Sequence, residues 1–314
     1  MTVTAAPTAR VLKTGGLYLY DRLVIGYCLL MLALLLAIGR PIGEYIDEIV
    51  FYASAAAAAA LIIRYVNEEK NIVSRFLRLF YPALLFTFFY RETGGMMFLV
   101  FDGFYDWQLT AFEKTVFGAY PTILIDRHLL NVWINELLSL CYFSYYFMIP
   151  VFLLVFFIRK EYGLIKSFMA ATCLTFFVSY LLFFLYPIEG PRWHFAGQYV
   201  NGIEGPVFRR LAEFVISNAA VRGGCMPSSH FGVALVILMY TFRYRSGSGW
   251  WLLPAVVGLG LGTVWGRYHY VSDVVAGGLI GLASVLIVWK YCGIGVTQEY
   301  NNAKTEELTT KNVP

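Results

Sequence analysis

An all-α, polytopic membrane helix bundle is the fold class this sequence predicts, and three observations predict it. Of 314 residues, 59% are hydrophobic and only 14% are charged, where an ordinary soluble domain carries ~25% charge. Several runs approach the ~20 apolar residues that cross a bilayer. The conspicuous polar clusters, Cys225-Met226-Pro227-Ser228-Ser229-His230 and Arg267-Tyr268-His269-Tyr270-Val271-Ser272-Asp273, stand at the ends of such runs rather than inside them.

The runs place spans at about 22–39, 46–64, 76–90, 135–158, 165–186, 228–243, 250–266 and 270–290. The third is the weakest, because it is short and Arg91 and Glu92 block its extension. The first is expected to be a retained helix and not a removed signal peptide, since no small-residue cleavage site follows it. Residues 1–21 then form an N-terminal segment, 22–291 the membrane domain, and 292–314 a polar, disordered tail. The Ala55–Ala60 tract reads as a smooth face for close helix packing. Residues 91–134 are too polar for the bilayer core yet carry Phe101, Phe104, Tyr105, Trp107, Phe112, Phe117 and Tyr120. That mixture predicts an interfacial shelf.

Eight spans put fifteen Lys and Arg on one side (Arg10, Lys13, Arg22, Arg64, Lys70, Arg75, Arg78, Arg159, Lys160, Lys166, Arg243, Arg245, Lys290, Lys304 and Lys311) and nine on the other. The positive-inside rule makes the first side cytoplasmic. Both histidine clusters then face the periplasm, the exterior or an organelle lumen. The net charge of +4 is too small to argue for nucleic acid. Five cysteines (Cys28, Cys141, Cys173, Cys225 and Cys292) include no CxxC pair, and their odd number argues against a disulfide framework.

Polar and ionisable groups at membrane-helix ends are costly, which makes each cluster a candidate site. Pro227-Ser228-Ser229-His230 precedes an apolar run, so a serine caps that helix. The first-turn N–H groups and a serine hydroxyl can cradle phosphate oxygens, with His230 against the phosphate. The same four residues also fit an ordinary helix start. His269 and Asp273 are four residues apart, on one face of a helix. A carboxylate there fixes an imidazole's tautomer and stabilises its imidazolium, which suits a nucleophile or a general base, while a plain polar pair is the bland alternative. Zinc-ligand spacing is missing, so the metal and cofactor expectation is none. Arg192, Arg222 and Arg267 are the outer arginines nearest the clusters, and their planar forks suit phosphate. His194 reads as a structural residue or a headgroup contact, His128 sits in the aromatic shelf with no partner evident in sequence, and both stay outside the catalytic set.

The order Gly190-Pro191-Arg192, then Cys225-Met226-Pro227-Ser228-Ser229-His230, then His269-Tyr270-Val271-Ser272-Asp273 resembles the type 2 phosphatidic acid phosphatase superfamily. Within it, the chain is most similar to the inositol phosphorylceramide synthase branch, a likeness that extends more softly to Thr115–Thr122. The resemblance covers roughly residues 100–290. It implies six to eight transmembrane helices with a six-helix catalytic core, and a metal-free mechanism. In that mechanism His269 attacks phosphorus, Asp273 orients it and His230 protonates the leaving oxygen. Arg192, Arg267, Ser228, Ser229 and Arg222 are expected to hold the phosphate. The implied reaction moves a head-group phosphate from a phospholipid to a lipid alcohol such as ceramide, through a phosphohistidine. Hydrolysis of phosphatidic acid or polyprenyl phosphates by water at the same site is the alternative. A transporter and a catalytically silent scaffold are the rivals outside enzymes. Transport predicts polar residues in mid-span, which are few, and a silent scaffold predicts loss of His230, His269 or Asp273, all present. The chain departs from the broad superfamily at three places. Thr263 stands where an arginine is expected six residues before His269. Leu185 stands where a lysine is expected seven before Arg192. Ser-Ser-His replaces Ser-Gly-His.

Overall fold

A computed structural model describes residues 13–14, 16–38 and 41–311 of the protein, with side chains within 16–291. Arg10 and Arg40, and the side chains of Lys13, Lys304 and Lys311, therefore lie outside the described residues. Twelve α-helices follow a two-residue ladder pairing Lys13–Thr14 with Leu17–Tyr18.

The first three helices are α1 (Leu19–Ala37), α2 (Ile46–Tyr65) and α3 (Ile72–Glu92). Each is long and apolar enough to cross a membrane, including the third, which the sequence leaves weakest. Its extra length comes from both ends. Asn71 caps it by accepting the Ser74 N–H at 2.8 Å, and it continues past Arg91. Arg78 enters the apolar interior because Asp21 of α1 takes it, Nη1 to Oδ1 at 2.8 Å, and Tyr81 donates to the same oxygen at 2.7 Å. A buried charge without such a partner would be far costlier.

Two short helices, α4 (Asp106–Phe117) and α5 (Pro121–His128), make the shelf. Their polarity is inverted. Trp107, Phe112, Val116 and Phe117 are exposed, whereas Asp106, Thr110, Glu113, Thr122 and Asp126 are buried. The aromatic face suits the bilayer interface, and the acids turn inward to the loops described below.

The remaining spans are α6 (Val132–Ile158), α7 (Tyr162–Leu185), α11 (Ser246–Trp265) and α12 (Val271–Lys311), with α8 (Pro191–His194) and α9 (Phe208–Ala219) in the loop after α7, and α10 (Ser229–Tyr244) between that loop and α11. Among the described residues seven helices qualify as spans by length and composition, so this is a multi-pass membrane protein. The eighth expected span, α10, has 16 residues, about 24 Å at ~1.5 Å per residue. It lies inside the bundle, where neighbours instead of lipid surround it. The backbone of α12 runs past Tyr291, through much of the stretch where the sequence predicts a disordered tail.

Helix α7 is the axis of the bundle: 72% of its apolar window is buried, against 44% or less for every other span. It packs on α1, α3, α6, α10 and α12. The contact that matters most for the site is α10 on α12. A Cβ on Gly277 would lie 2.1 Å from the Ser228 carbonyl oxygen, and one on Gly281 would lie 2.3 Å from that of Gly232. Only glycine permits backbones this close, the small-residue packing of membrane helices. It brings the N-terminal ends of α10 and α12 side by side.

Candidate active site

His269 is presented by a tight turn between α11 and α12. The N–H groups of Tyr268 and His269 both donate to the Thr263 carbonyl, at 2.8 and 3.0 Å. Closing that turn puts Arg267 at φ +64°, a conformation unfavourable for a residue with a Cβ. Its side chain is anchored in compensation: Nη2 donates to Asp126 Oδ1 at 2.5 Å and to the Asn201 carbonyl at 2.7 Å, and the guanidinium lies over the Tyr199 ring.

Asp273 sits in the first turn of α12 and His269 just before the helix, so the two meet across a turn and not along a helix face. Asp273 Oδ2 accepts the Tyr270 N–H at 2.8 Å, a reciprocal cap of its own helix. The same oxygen lies 3.4 Å from His269 Nδ1 and accepts the Cys225 thiol at 2.9 Å. Asp273 Oδ1 is buried without a partner. With Nδ1 turned toward the carboxylate, Nε2 is the His269 nitrogen left for chemistry.

His230 stands in the first turn of α10, its ring centre 6.2 Å from that of His269. Tyr142, Tyr145 and Tyr146 of α6 enclose it, at centroid distances of 5.8, 4.7 and 6.4 Å. Ser228 caps α10, its hydroxyl accepting the Phe231 N–H at 3.5 Å, and its own N–H donates to the Asp273 carbonyl at 2.9 Å. Ser228 is thus consumed by the fold, while Ser229 lines a cavity with His230.

Of the three expected arginines, Arg192 shares a small cavity of about 50 Å³ with His230, His269 and Tyr268. It is ion-paired to Glu213 of α9. The other two do not line that cavity. Arg222 pairs with Glu189 at an exposed edge, and Arg267 is held by the fully buried Asp126.

The profile of the PAP2 superfamily matches residues 107–287, more than half of the chain. The chain belongs to the PAP2 superfamily. It is 22% identical over 191 residues to a PA-phosphatase related-family protein of Dictyostelium discoideum, covering 54% of this chain and 35% of that protein. It is 31% identical over 84 residues to the bacitracin transport permease protein BcrC of Bacillus licheniformis, covering 27% of this chain and 38% of that one. The chain therefore spans little more than a third of the length of either relative. No solved structure matched it.

Around the PAP2 histidines stands a ring of acids that sequence reasoning missed. Asp106 of α4 accepts the N–H groups of Glu189 (2.7 Å) and Gly190 (2.9 Å) and the Tyr270 hydroxyl (2.8 Å), tying the Arg192 loop to the residue after His269. Glu113 accepts the Ser272 N–H at 2.7 Å and its hydroxyl at 2.9 Å, holding the start of α12. Asp126 takes Arg267 and the N–H groups of Val200 and Asn201. Glu136 of α6 accepts from Val207, Phe208 and Arg209 at the start of α9. Their partners lie 71 to 164 positions away in the chain, so no local pattern marks them. The one available signal was acids set among the shelf aromatics.

Among the described residues two groups have metal-ligand chemistry: Cys225, His269 and Asp273, and Asp106, Glu189 and His194. Neither donor set fits a bound cation well. Burial, and then the Asp273 carboxylate, push the Cys225 thiol well above its ordinary range, whereas a metal needs the thiolate. The Asp106 oxygens already accept three hydrogen bonds.

A second cavity of about 570 Å³ opens from Ser229 and His230 between α3, α6 and α7. Its walls are aromatic and aliphatic, from Tyr90 near the C-terminal end of α3 to Phe76 near its N-terminal end. Fourteen residues of helix at ~1.5 Å each make it roughly 21 Å deep.

Proposed function

We propose that the protein is an integral-membrane lipid phosphotransferase that passes a head-group phosphate from a phospholipid to a lipid alcohol through a phosphohistidine on His269. The pairing of the two imidazoles carries this reading. Their ring centres are 6.2 Å apart, close enough for both imidazoles to reach one phosphoryl group. His269 Nε2 attacks phosphorus, and the bond from phosphorus to the donor's glyceride oxygen breaks. His230 gives its proton to that oxygen. In the second half, His230 takes the acceptor's hydroxyl proton, the alkoxide attacks the phosphohistidine, and His269 is released. Asp273 fixes the His269 tautomer and stabilises the imidazolium that precedes transfer. Splitting displacement in two is ordinary covalent catalysis, and Arg192 supplies charge for the phosphoryl oxygens. The apolar cavity beside His230 suits the hydrocarbon chain of a lipid.

The inositol phosphorylceramide synthase resemblance favours a lipid alcohol as acceptor. Hydrolysis is the second reading, and the phosphatase-related name of the Dictyostelium relative favours it. The Lys and Arg bias between loops supports an active site on the extracytoplasmic side. Turnover of a head-group-labelled phospholipid by purified wild type and His269→Ala, with and without added lipid alcohol, tests all of this. Label in a new lipid supports transfer, and label released as a water-soluble phosphate supports hydrolysis. Undiminished turnover by His269→Ala defeats both.

A further inference from the structure

The Arg192 partner is an acid with a second arginine on its other oxygen. Arg192 binds Glu213 Oε1, and Arg209 Nη2 binds Oε2 at 2.8 Å. Arg209 also donates to the Tyr268 hydroxyl and lies 5.5 Å from that ring's centre. Tyr268 adjoins His269 in sequence and lines the small cavity with both histidines and Arg192. Two guanidiniums thus hold one carboxylate, Arg192 reaching the cavity of the histidines while Arg209 and Glu213 line a neighbouring open cavity of about 990 Å³, and planar forks of this kind recognise phosphate as readily.

Three further observations point the same way. Thr263, at the position where the broad superfamily pattern carries an arginine, is fully buried and its hydroxyl bonds the Gly260 carbonyl. Arg267 and Arg222 are engaged elsewhere. The small cavity between the histidines is lined by Ile216 of α9 as well as by Arg192, so the helix that carries Arg209 and Glu213 borders the site. Helix α9 itself is pinned at its start by Glu136, which leaves the partly exposed Glu213 side chain as the movable part.

Resting on the phosphoryl-transfer reading above, we propose that Arg209 and Arg192 together form the substrate's phosphate clamp, and that Glu213 occupies this clamp until the phosphate of an incoming lipid displaces it. Arg209, from a helix after the first motif, does the work of the arginine missing at position 263. Glu213 keeps two cations compensated while the site is empty.

Anion binding in detergent, read as ligand-induced thermal stabilisation with inorganic phosphate and with a single-chain lipid phosphate, tests this. A His269→Ala background keeps turnover out of the measurement, so failure of the clamp is distinguishable from failure of the covalent mechanism. Glu213→Gln should tighten binding of both probes about tenfold and Arg209→Ala weaken both about tenfold, the scale of one charge-assisted hydrogen bond. Arg209→Lys should fall between. Adding Glu213→Gln to Arg209→Ala should recover less than the single change gains, because the two residues share one interaction. A merely structural Glu213 would loosen α9 and weaken binding. Unchanged or weaker binding in Glu213→Gln overturns the proposal, as does unchanged binding in Arg209→Ala. An effect of Arg209→Ala on inorganic phosphate alone overturns the assignment to the lipid substrate.

Discussion

Gly277→Ala tests whether the glycine contact between α10 and α12 sets the spacing of the histidines. The added Cβ would fall 2.1 Å from the Ser228 carbonyl oxygen and 2.9 Å from its carbon. Carbon in ordinary contact needs ~3.5 Å, so the start of α10 must retreat by roughly 1 Å. Retreat is opposed by the Ser228 N–H bond to the Asp273 carbonyl, and overpacking of this kind costs ~1–3 kcal/mol. His230 lies two residues from Ser228, so it moves with the cap. A misplacement of ~1 Å lowers turnover by ~10²-fold. The assay is kcat on labelled phospholipid, per folded molecule as counted by thermal unfolding. Gly26→Ala is the control, since a Cβ there meets nothing within 4 Å. A folded Gly277→Ala within about twofold of wild type, against the ~10²-fold expected, would refute the idea that backbone approach sets catalytic geometry.

Other outcomes follow from the same geometry. Asp273→Asn should keep the fold and lower kcat by ~10²–10⁴-fold, because the His269 tautomer is no longer enforced, and kinetics with near-normal kcat would remove Asp273 from the site. Asp106→Asn should cut kcat/KM at least about tenfold, since an amide presents donors to the Glu189 and Gly190 N–H groups, whereas Tyr270→Phe removes one bond of ~1 kcal/mol; equal effects would contradict the brace. Burial pushes the Glu113 carboxyl above the ordinary carboxylate range, against the pull of Ser272. A raised folded value gives a contribution complete below the unfolded value and lost as pH rises through the folded one. The thermal midpoint of Glu113→Gln should therefore gain on wild type as pH rises through the carboxyl's raised range, and a constant gap would reject the buried acid's role. Chelator should leave turnover intact, and a loss restored by zinc would overturn the metal-free mechanism.

Local chemistry is what a sequence exposes, and here it exposed much. Apolar runs set the helices, because only a helix satisfies every backbone group within its own segment in lipid. The serine cap, the His230 and His269 clusters, Asp273 and Arg192 could be singled out because each stands in a short polar island. Even α3 differed only in length, since its start depends on the Asn71 cap rather than on hydropathy.

Tertiary structure decided everything that depends on who stands opposite whom. Arg192, Arg222 and Arg267 are chemically alike, and only the positions of Glu213, Glu189 and Asp126 sort the one beside the histidines from the two that are engaged elsewhere. Arg209 and the ring of acids have partners scores of residues away, joined by packing that no local pattern records. The residue types determine which groups can do chemistry. Close glycine packing between distant helices determines which of them meet, because distances at a site are fixed by backbones and not by sequence separation.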